Sequence, residues 1–215
     1  MRTLAVGVLL WTAVDVRAEL TWETKEVHLK AGLADTEVTA TFPFKNTGAE
    51  PVKFKSFKSA CGCVKIAAST MEVAPGTTGD VKVVFTPEFR QGKQKRPIAV
   101  QFDDEKQTRT ALYLHVDLPE VIRPSPIFLR WAPEETLGPK TVTITTDADQ
   151  KVESMAVRPN NPLWETKVEP ASNGRDYVLQ VTPKARRGVQ SQYVEVEARL
   201  ANGLVKRTNV YVVVR

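Results

Sequence analysis

The sequence predicts an all-β protein built from two tandem β-sandwich domains. Three observations carry that expectation. Apolar and polar residues alternate in short runs, the side-chain period of a half-buried strand. Turn-forming clusters of Gly, Pro, Asn and Asp separate these runs. The second half of the chain also repeats the first at an offset of 96 to 98 residues.

The first 18 residues, "MRTLAVGVLLWTAVDVRA", stand apart from this pattern. Arg2 precedes an apolar run from Leu4 to Val14, and Val16 and Ala18 occupy the −3 and −1 places of a cleavage site after Ala18. This is the organisation of a secretory signal peptide. The apolar run is about half the roughly 20 residues a membrane-crossing helix needs. No cysteine follows it to accept a lipid, and no later stretch is long and apolar enough to span a bilayer. The sequence therefore predicts an exported chain, periplasmic or extracellular, with no transmembrane segment after cleavage. Cytosolic, nuclear and genomic-DNA functions are excluded on this reading. Charge agrees: 30 Lys and Arg against 25 Asp and Glu give a net charge of +5, too small an excess to indicate a nucleic-acid partner.

The strands of the first half follow in order. Val38, Ala40, Phe42 and Phe44 share one face of "EVTATFPFKN"; Val81, Val83 and Phe85 share one face of "GDVKVVF". Ile98, Val100 and Phe102 come next, then Leu112, Leu114 and Val116. Between them lie "NTGAEP", "APGTTGD", "FRQGK" and "DDEK", each a turn signal. No segment shows helical periodicity, and short strands with regular turns indicate a sandwich. In the second half "VTPKARRGVQ" (181–190) matches "FTPEFRQGKQ" (85–94), and "RTNVYVVV" (207–214) matches "RTALYLHV" (109–116). A period of this size is one whole sandwich domain rather than one solenoid unit. The Pro-rich "LPEVIRPSP" connects the halves. The predicted organisation is a signal peptide at 1–18, a Cys-Gly-Cys domain at 19–118, a linker at 119–123 and a second domain at 124–215.

The first half carries Phe42-Pro43-Phe44-Lys45-Asn46-Thr47-Gly48, then Pro51, Cys61-Gly62-Cys63, Pro75-Gly76, Gly79 and Val83-Val84-Phe85. This order resembles the bacterial family called domain of unknown function 1573, over roughly residues 35–118. The resemblance implies an immunoglobulin-like β-sandwich of the Hydin-like group, and hence two tandem immunoglobulin-like domains through the repeat. It implies export and assigns no activity.

Cys61 and Cys63 are the only cysteines, one glycine apart in "SACGCVK". The repeat puts "VRPNNPLW" (157–164) in the corresponding place, so the sandwich itself does not require them. A Cys61–Cys63 bond closes a three-residue ring, which by the loop-entropy relation stabilises by only about 1.6 kcal/mol. Extended strand places such cysteines about 6.6 Å apart, so the chain has to bend, and Gly62 is the candidate for that bend. Three uses stay open: a loop-shaping disulfide, a thiol-redox pair, or a two-coordinate Cu(I) clamp. Lys58 and Lys65 flank the motif, where positive charge would stabilise a thiolate; an exposed lysine face that discourages edge-to-edge pairing is the plainer account. A four-ligand zinc site would have to draw on His28 and His115. Both alternate with apolar neighbours and face outward on their strands, away in sequence from the cysteines.

The remaining motifs say less. The run Asp103-Asp104-Glu105 sits at a hairpin tip without the ligand spacing of a calcium loop. The basic loops "FRQGKQKR" and "KARRG" occupy equivalent places in both halves and could face an anionic polymer. Trp22, Trp131 and Trp164 could form carbohydrate platforms, though core packing is the commoner use of tryptophan. With two histidines in the chain, nucleophilic and acid–base catalysis have little to draw on. The sequence is therefore read as an exported, non-catalytic binding or scaffolding protein. It needs no cofactor, and its partner is a protein or a cell-surface polymer. The alternative is a periplasmic thiol-redox or Cu(I)-handling protein using Cys61 and Cys63.

Overall fold

The computed structural model describes residues 19–104, 109–186 and 192–215. The predicted signal peptide with its predicted cleavage site at Ala18, Glu105 of the acidic run, and Arg187 and Gly188 of the second basic loop lie outside the described residues. Those residues contain strands and turns and no helix, as the period-2 patterning predicts.

The strands run β1 (Leu20–Trp22), β2 (Glu26–Lys30), β3 (Val38–Asn46), β4 (Val52–Lys58), β5 (Val64–Ala68), β6 (Glu72–Val73), β7 (Thr78–Phe85), β8 (Gly92–Phe102) and β9 (Thr110–Leu118). The plan then restarts with β10 (Ile122–Ser125), β11 (Phe128–Trp131), β12 (Lys140–Thr146), β13 (Val152–Pro159), β14 (Trp164–Pro170), β15 (Tyr177–Pro183), β16 (Gln192–Leu200) and β17 (Val205–Val214). Four sheets result, ordered β1-β3-β7-β5, β2-β9-β8-β4-β6, β10-β12-β15-β14 and β11-β17-β16-β13. Apart from the two-residue β6, the second pair of sheets reproduces the first strand for strand. The fold is two tandem immunoglobulin-like sandwiches.

By proximity the chain divides into two compact units, one of residues up to Val27, Ala40–Val83 and Pro97–Tyr113, the other of His28–Thr39, Val84–Arg96 and Leu114–Arg215. In the first unit the inward residues of the alternating runs are buried: Ala40, Phe42, Phe44, Val81, Val83, Ile98, Val100 and Leu112. Trp22 packs edge-on against Phe44 with ring centroids 5.3 Å apart, and Phe44 meets Phe54 at 5.4 Å. Gly79 of β7 belongs to this packing. A Cβ there would lie 2.6 Å from the Phe44 ring and 2.8 Å from Ser69 Oγ, so only glycine fits without displacement. At the end of β3, Asn46 is fully buried and its amide is satisfied. It donates to the carbonyls of Glu50 (2.8 Å) and Val73 (2.9 Å) and accepts from the Gly48 N–H (3.0 Å).

The second unit is built on Trp131, Val142, Ile144, Leu179, Val181, Val194, Val196, Val210 and Val212. Trp131 is fully buried, packs against Trp164 at 5.5 Å, and donates its indole N–H to the Gly138 carbonyl at 2.9 Å. Val121 and Ile122 join this core, and the Gln91 amide fastens them. Its Oε1 accepts from the N–H groups of both (2.9 and 3.2 Å), while its Nε2 donates to the Ile122 carbonyl (2.8 Å). Thr146 holds the place at the end of β12 that Asn46 holds at the end of β3. Its backbone N–H donates to Asp176 Oδ1 at 2.9 Å, and the Asn173 amide donates to Oδ2 at 2.7 Å. These bonds favour the charged form and hold the Asp176 carboxyl below the usual carboxylate range.

Two outcomes follow from these contacts. Gly79→Ala, by forcing a methyl into the Phe44 ring, lowers stability by about 1–3 kcal/mol in a urea melt. Asp176 has a depressed folded-state pKa, so its contribution is complete above the unfolded-state value and is lost as pH falls through the folded-state one. Denaturant midpoints measured from neutral pH down to about pH 3 therefore fall less steeply in Asp176→Asn than in the wild type.

Candidate functional site

The two cysteines lie in the turn between β4 and β5. Their sulfurs are joined as a disulfide, with the Cα atoms 5.1 Å apart, so the turn shortens the span that extended strand would leave. Cys63 is buried, Cys61 half-buried and Gly62 exposed. The Cys63 N–H donates to Cys61 Sγ at 3.1 Å, and the Val64 N–H donates to the Cys61 carbonyl at 3.3 Å.

The corresponding turn, between β13 and β14, has the same two bonds without sulfur. The Leu163 N–H donates to Asn161 Oδ1 at 2.9 Å, and the Trp164 N–H donates to the Asn161 carbonyl at 3.3 Å. Asn161-Pro162-Leu163 thus stands where Cys61-Gly62-Cys63 stands in the first repeat, and Cys61 Sγ takes the role of an asparagine oxygen in a side-chain-capped turn. Gly62 is the middle residue of this turn. Its φ lies outside the left-handed region and a Cβ would meet nothing within 4 Å, and the matching position accepts proline. Lys58 and Lys65 are exposed beside the turn. With the disulfide closed there is no thiolate for them to stabilise and no thiolate pair for Cu(I).

The two histidines are brought together. The Tyr113 N–H donates to the Lys25 carbonyl (2.8 Å), and the Ala31 N–H donates to the Asp117 carbonyl (3.0 Å). That pattern runs β2 parallel to β9 and sets His28 opposite His115. The imidazoles stack with centroids 4.2 Å apart and planes 9° from parallel. Ligand atoms of Glu26, His28 and His115 lie within 4.8 Å of one another. The expectation that both histidines face outward holds: His28 is exposed and His115 partly so. Their meeting was missed. The signal was the strand repeat, which makes β2 and β9 partners, together with the matching "VHL" and "LHV".

Other expected sites resolve into structure. Trp22, Trp131 and Trp164 are all buried, the packing role rather than carbohydrate platforms. In the basic loops three described arginines turn to partners within the protein, while Lys93, Lys95 and Lys184 are exposed. Arg90 pairs with Glu88 at 2.6 Å, and Arg96 lies over the Phe85 ring at 5.6 Å. Arg186 donates to the carbonyls of Ala132 (3.0 Å), Glu135 (2.6 Å) and Arg215. Arg207 covers the Phe89 ring at 3.9 Å and donates to Glu197 at 2.7 Å, which holds that carboxyl below its usual range. Phe89, Arg90 and Arg207 line a cavity of about 300 Å³ with Glu88, Glu195 and Asn209. An apolar row is displayed as well. Phe128 is 65% exposed on the edge strand β11, opposite Tyr211 of β17, which stands opposite Tyr193 of β16. Phe128 and Tyr211 stack at 5.1 Å, and Ile127 is exposed beside them.

The Phe-x-Phe-x-Asn-x-Gly stretch at the end of β3, the Cys-Gly-Cys turn and the tightly packed Gly79 occur together in one sandwich. Residues 20–118 match the family described as Protein of unknown function (DUF1573). The DUF1573 match begins and ends with β1 and β9, so it takes in the first strand repeat whole. No curated protein matches the chain. Among solved structures, a protein of unknown function from Porphyromonas gingivalis W83 is similar at 10% identity and a TM-score of 0.39, over 90% of this chain and 99% of that one. The periplasmic chaperone SfaE is similar at 11% and 0.36, over 92% and 100%. A PapD-like domain of human CEP192 is similar at 13% and 0.37, over 55% and 99%. At such scores these likenesses carry no argument about function.

Because the second repeat builds the turn without sulfur, Cys61→Asn combined with Cys63→Leu preserves the fold, at a cost of no more than about 1.6 kcal/mol. Gly62→Ala changes stability by less than about 0.5 kcal/mol. Chemical denaturation of both variants checks this, and a loss above about 3 kcal/mol in the double variant would make the bond a staple.

Proposed function

We propose that this is an exported, non-catalytic binding or scaffolding protein that holds a partner protein on the outer face of β11, β17 and β16. The observation that carries the proposal is the aromatic row Phe128–Tyr211–Tyr193 with Ile127 beside it, apolar area that a chain without a partner has no reason to display. A protein fits better than a polysaccharide. Phe128 and Tyr211 stack on one another and so present ring edges, not the coplanar faces on which a sugar ring lies. The face is favoured over the free edge of β11, because Lys140 Nζ donates to the Arg130 carbonyl there at 2.6 Å and blocks an incoming strand. Export is supported by the leader pattern of residues 1–18 and by the closed disulfide, which persists outside reducing compartments. We place the domain boundary within residues 119–123, between the end of the DUF1573 match at Leu118 and the restart of the strand plan at Ile122. No helix among the described residues is long and apolar enough to cross a membrane.

A second reading draws on the two turns. Asn161-Pro162-Leu163 builds the fold without cysteine, so Cys61 and Cys63 are free to serve thiol chemistry. The disulfide would accept two electrons and two protons from a dithiol protein, leaving two thiols here and a disulfide on the donor.

One comparison separates the readings. Partner recovery by cross-linking from the exported fraction is lost on Phe128→Glu with Tyr211→Glu and kept on Cys61→Ser with Cys63→Ser. Retention after the first change refutes the aromatic surface, and loss after the second favours the thiol reading.

A further inference from the structure

We propose that Glu26, His28 and His115 form a binding site for a divalent transition-metal ion, with Cu(II) held most tightly. The site is independent of the aromatic face and of the cysteines. It rests on geometry that the parallel pairing of β2 and β9 imposes. That pairing sets two imidazoles side by side on one outer face, and the strand period places Glu26, two residues before His28, on the same face.

The donor set is two nitrogens and one carboxylate oxygen. Imidazole selects copper, nickel and zinc over calcium and magnesium, and copper leads that series. Bonds of 2.0–2.1 Å at a tetrahedral angle put ligand atoms about 3.3 Å apart. The donors here lie within 4.8 Å of each other on side chains that are exposed or half-exposed, so rotation about the side-chain bonds closes the set. Three protein ligands leave coordination positions open to water or to a second molecule, the arrangement of a site that exchanges its ion rather than a closed structural one.

The second repeat supplies a control. The bond from the Tyr113 N–H to the Lys25 carbonyl has its counterpart in the bond from the Tyr211 N–H to the Ile127 carbonyl. The matching positions are therefore Phe128 for Glu26, Arg130 for His28 and Val213 for His115, and Arg130 stands opposite Val213 in register. The same two strands pair in the same way with no metal-binding side chain present. The sheet has no architectural need for the histidines, and three donors have converged where the sister sheet has none.

The test uses the full chain, untagged and with its disulfide intact. Calorimetric titration with Cu(II), and separately with Zn(II), gives one equivalent bound. The electron paramagnetic resonance spectrum of the Cu(II) complex shows coupling to two imidazole nitrogens. His28→Arg and His115→Val, the residues the second repeat carries, each weaken binding at least ten-fold, with circular dichroism confirming the fold of each. Cys61→Ser with Cys63→Ser leaves the binding unchanged. If one histidine variant does not fold, the other carries the test. Equal affinity and stoichiometry in wild type and histidine variants, or a spectrum without nitrogen coupling, overturns the proposal.

Discussion

The parallel pairing of the second strand of each repeat with its last is the interaction on which the surface chemistry of the molecule depends. Parallel neighbours need a long crossover, and here the crossover is the rest of the sandwich. The pairing therefore brings side chains from opposite ends of a repeat into register. In the first repeat it aligns β2 with β9 and sets His28 on His115. In the second it aligns β11 with β17 and sets Phe128 on Tyr211. One backbone arrangement thus presents a polar, ligand-rich face in one copy and an aromatic face in the other. The two copies have kept a scaffold and diverged on its outer side, where substitution does not disturb the core.

The core was legible because it obeys a local rule. Phe42, Phe44, Val81, Val83, Phe85, Leu112 and Leu114 alternate with polar residues, and every one of them is buried. The repeat was legible as well, and the strand orders of the two pairs of sheets coincide. Alternation tells which face a side chain occupies but not which strand lies next to it. His28 and His115 were therefore seen as outward-facing and not as a pair. The aromatic row escaped for the same reason, since Phe128, Tyr211 and Tyr193 come from three strands that only the sheet order makes neighbours. The bend at Gly62 is one that glycine permits, and in the matching turn proline stands in its place, at Pro162.

Charge was harder to read than apolarity. A run such as "FRQGKQKR" looks like a basic surface in sequence, yet Arg90 and Arg96 each have a partner nearby, an acid for one and a ring for the other. Arg186 is drawn to backbone carbonyls and Arg207 to Glu197 and Phe89. Long cationic side chains reach several neighbours, so their sequence position leaves their use undetermined. The buried polar residues Asn46 and Asp176 illustrate the complementary case. Asn46 ends β3 and Asp176, just before β15, bonds Thr146 at the equivalent end of β12; both satisfy backbone groups where a strand stops, through different chemistry.

The likeness of the two turns has a consequence for how the cysteine pair can participate in anything. A hinge or latch works only if making or breaking the bond moves the chain. Here sulfur stands in for an amide oxygen, and the matching turn of the second repeat keeps the same two bonds with no covalent link at all. By that analogy opening the bond is expected to leave the sheets in place. A molecule that responds to the oxidation state of the pair then has to read the sulfurs themselves.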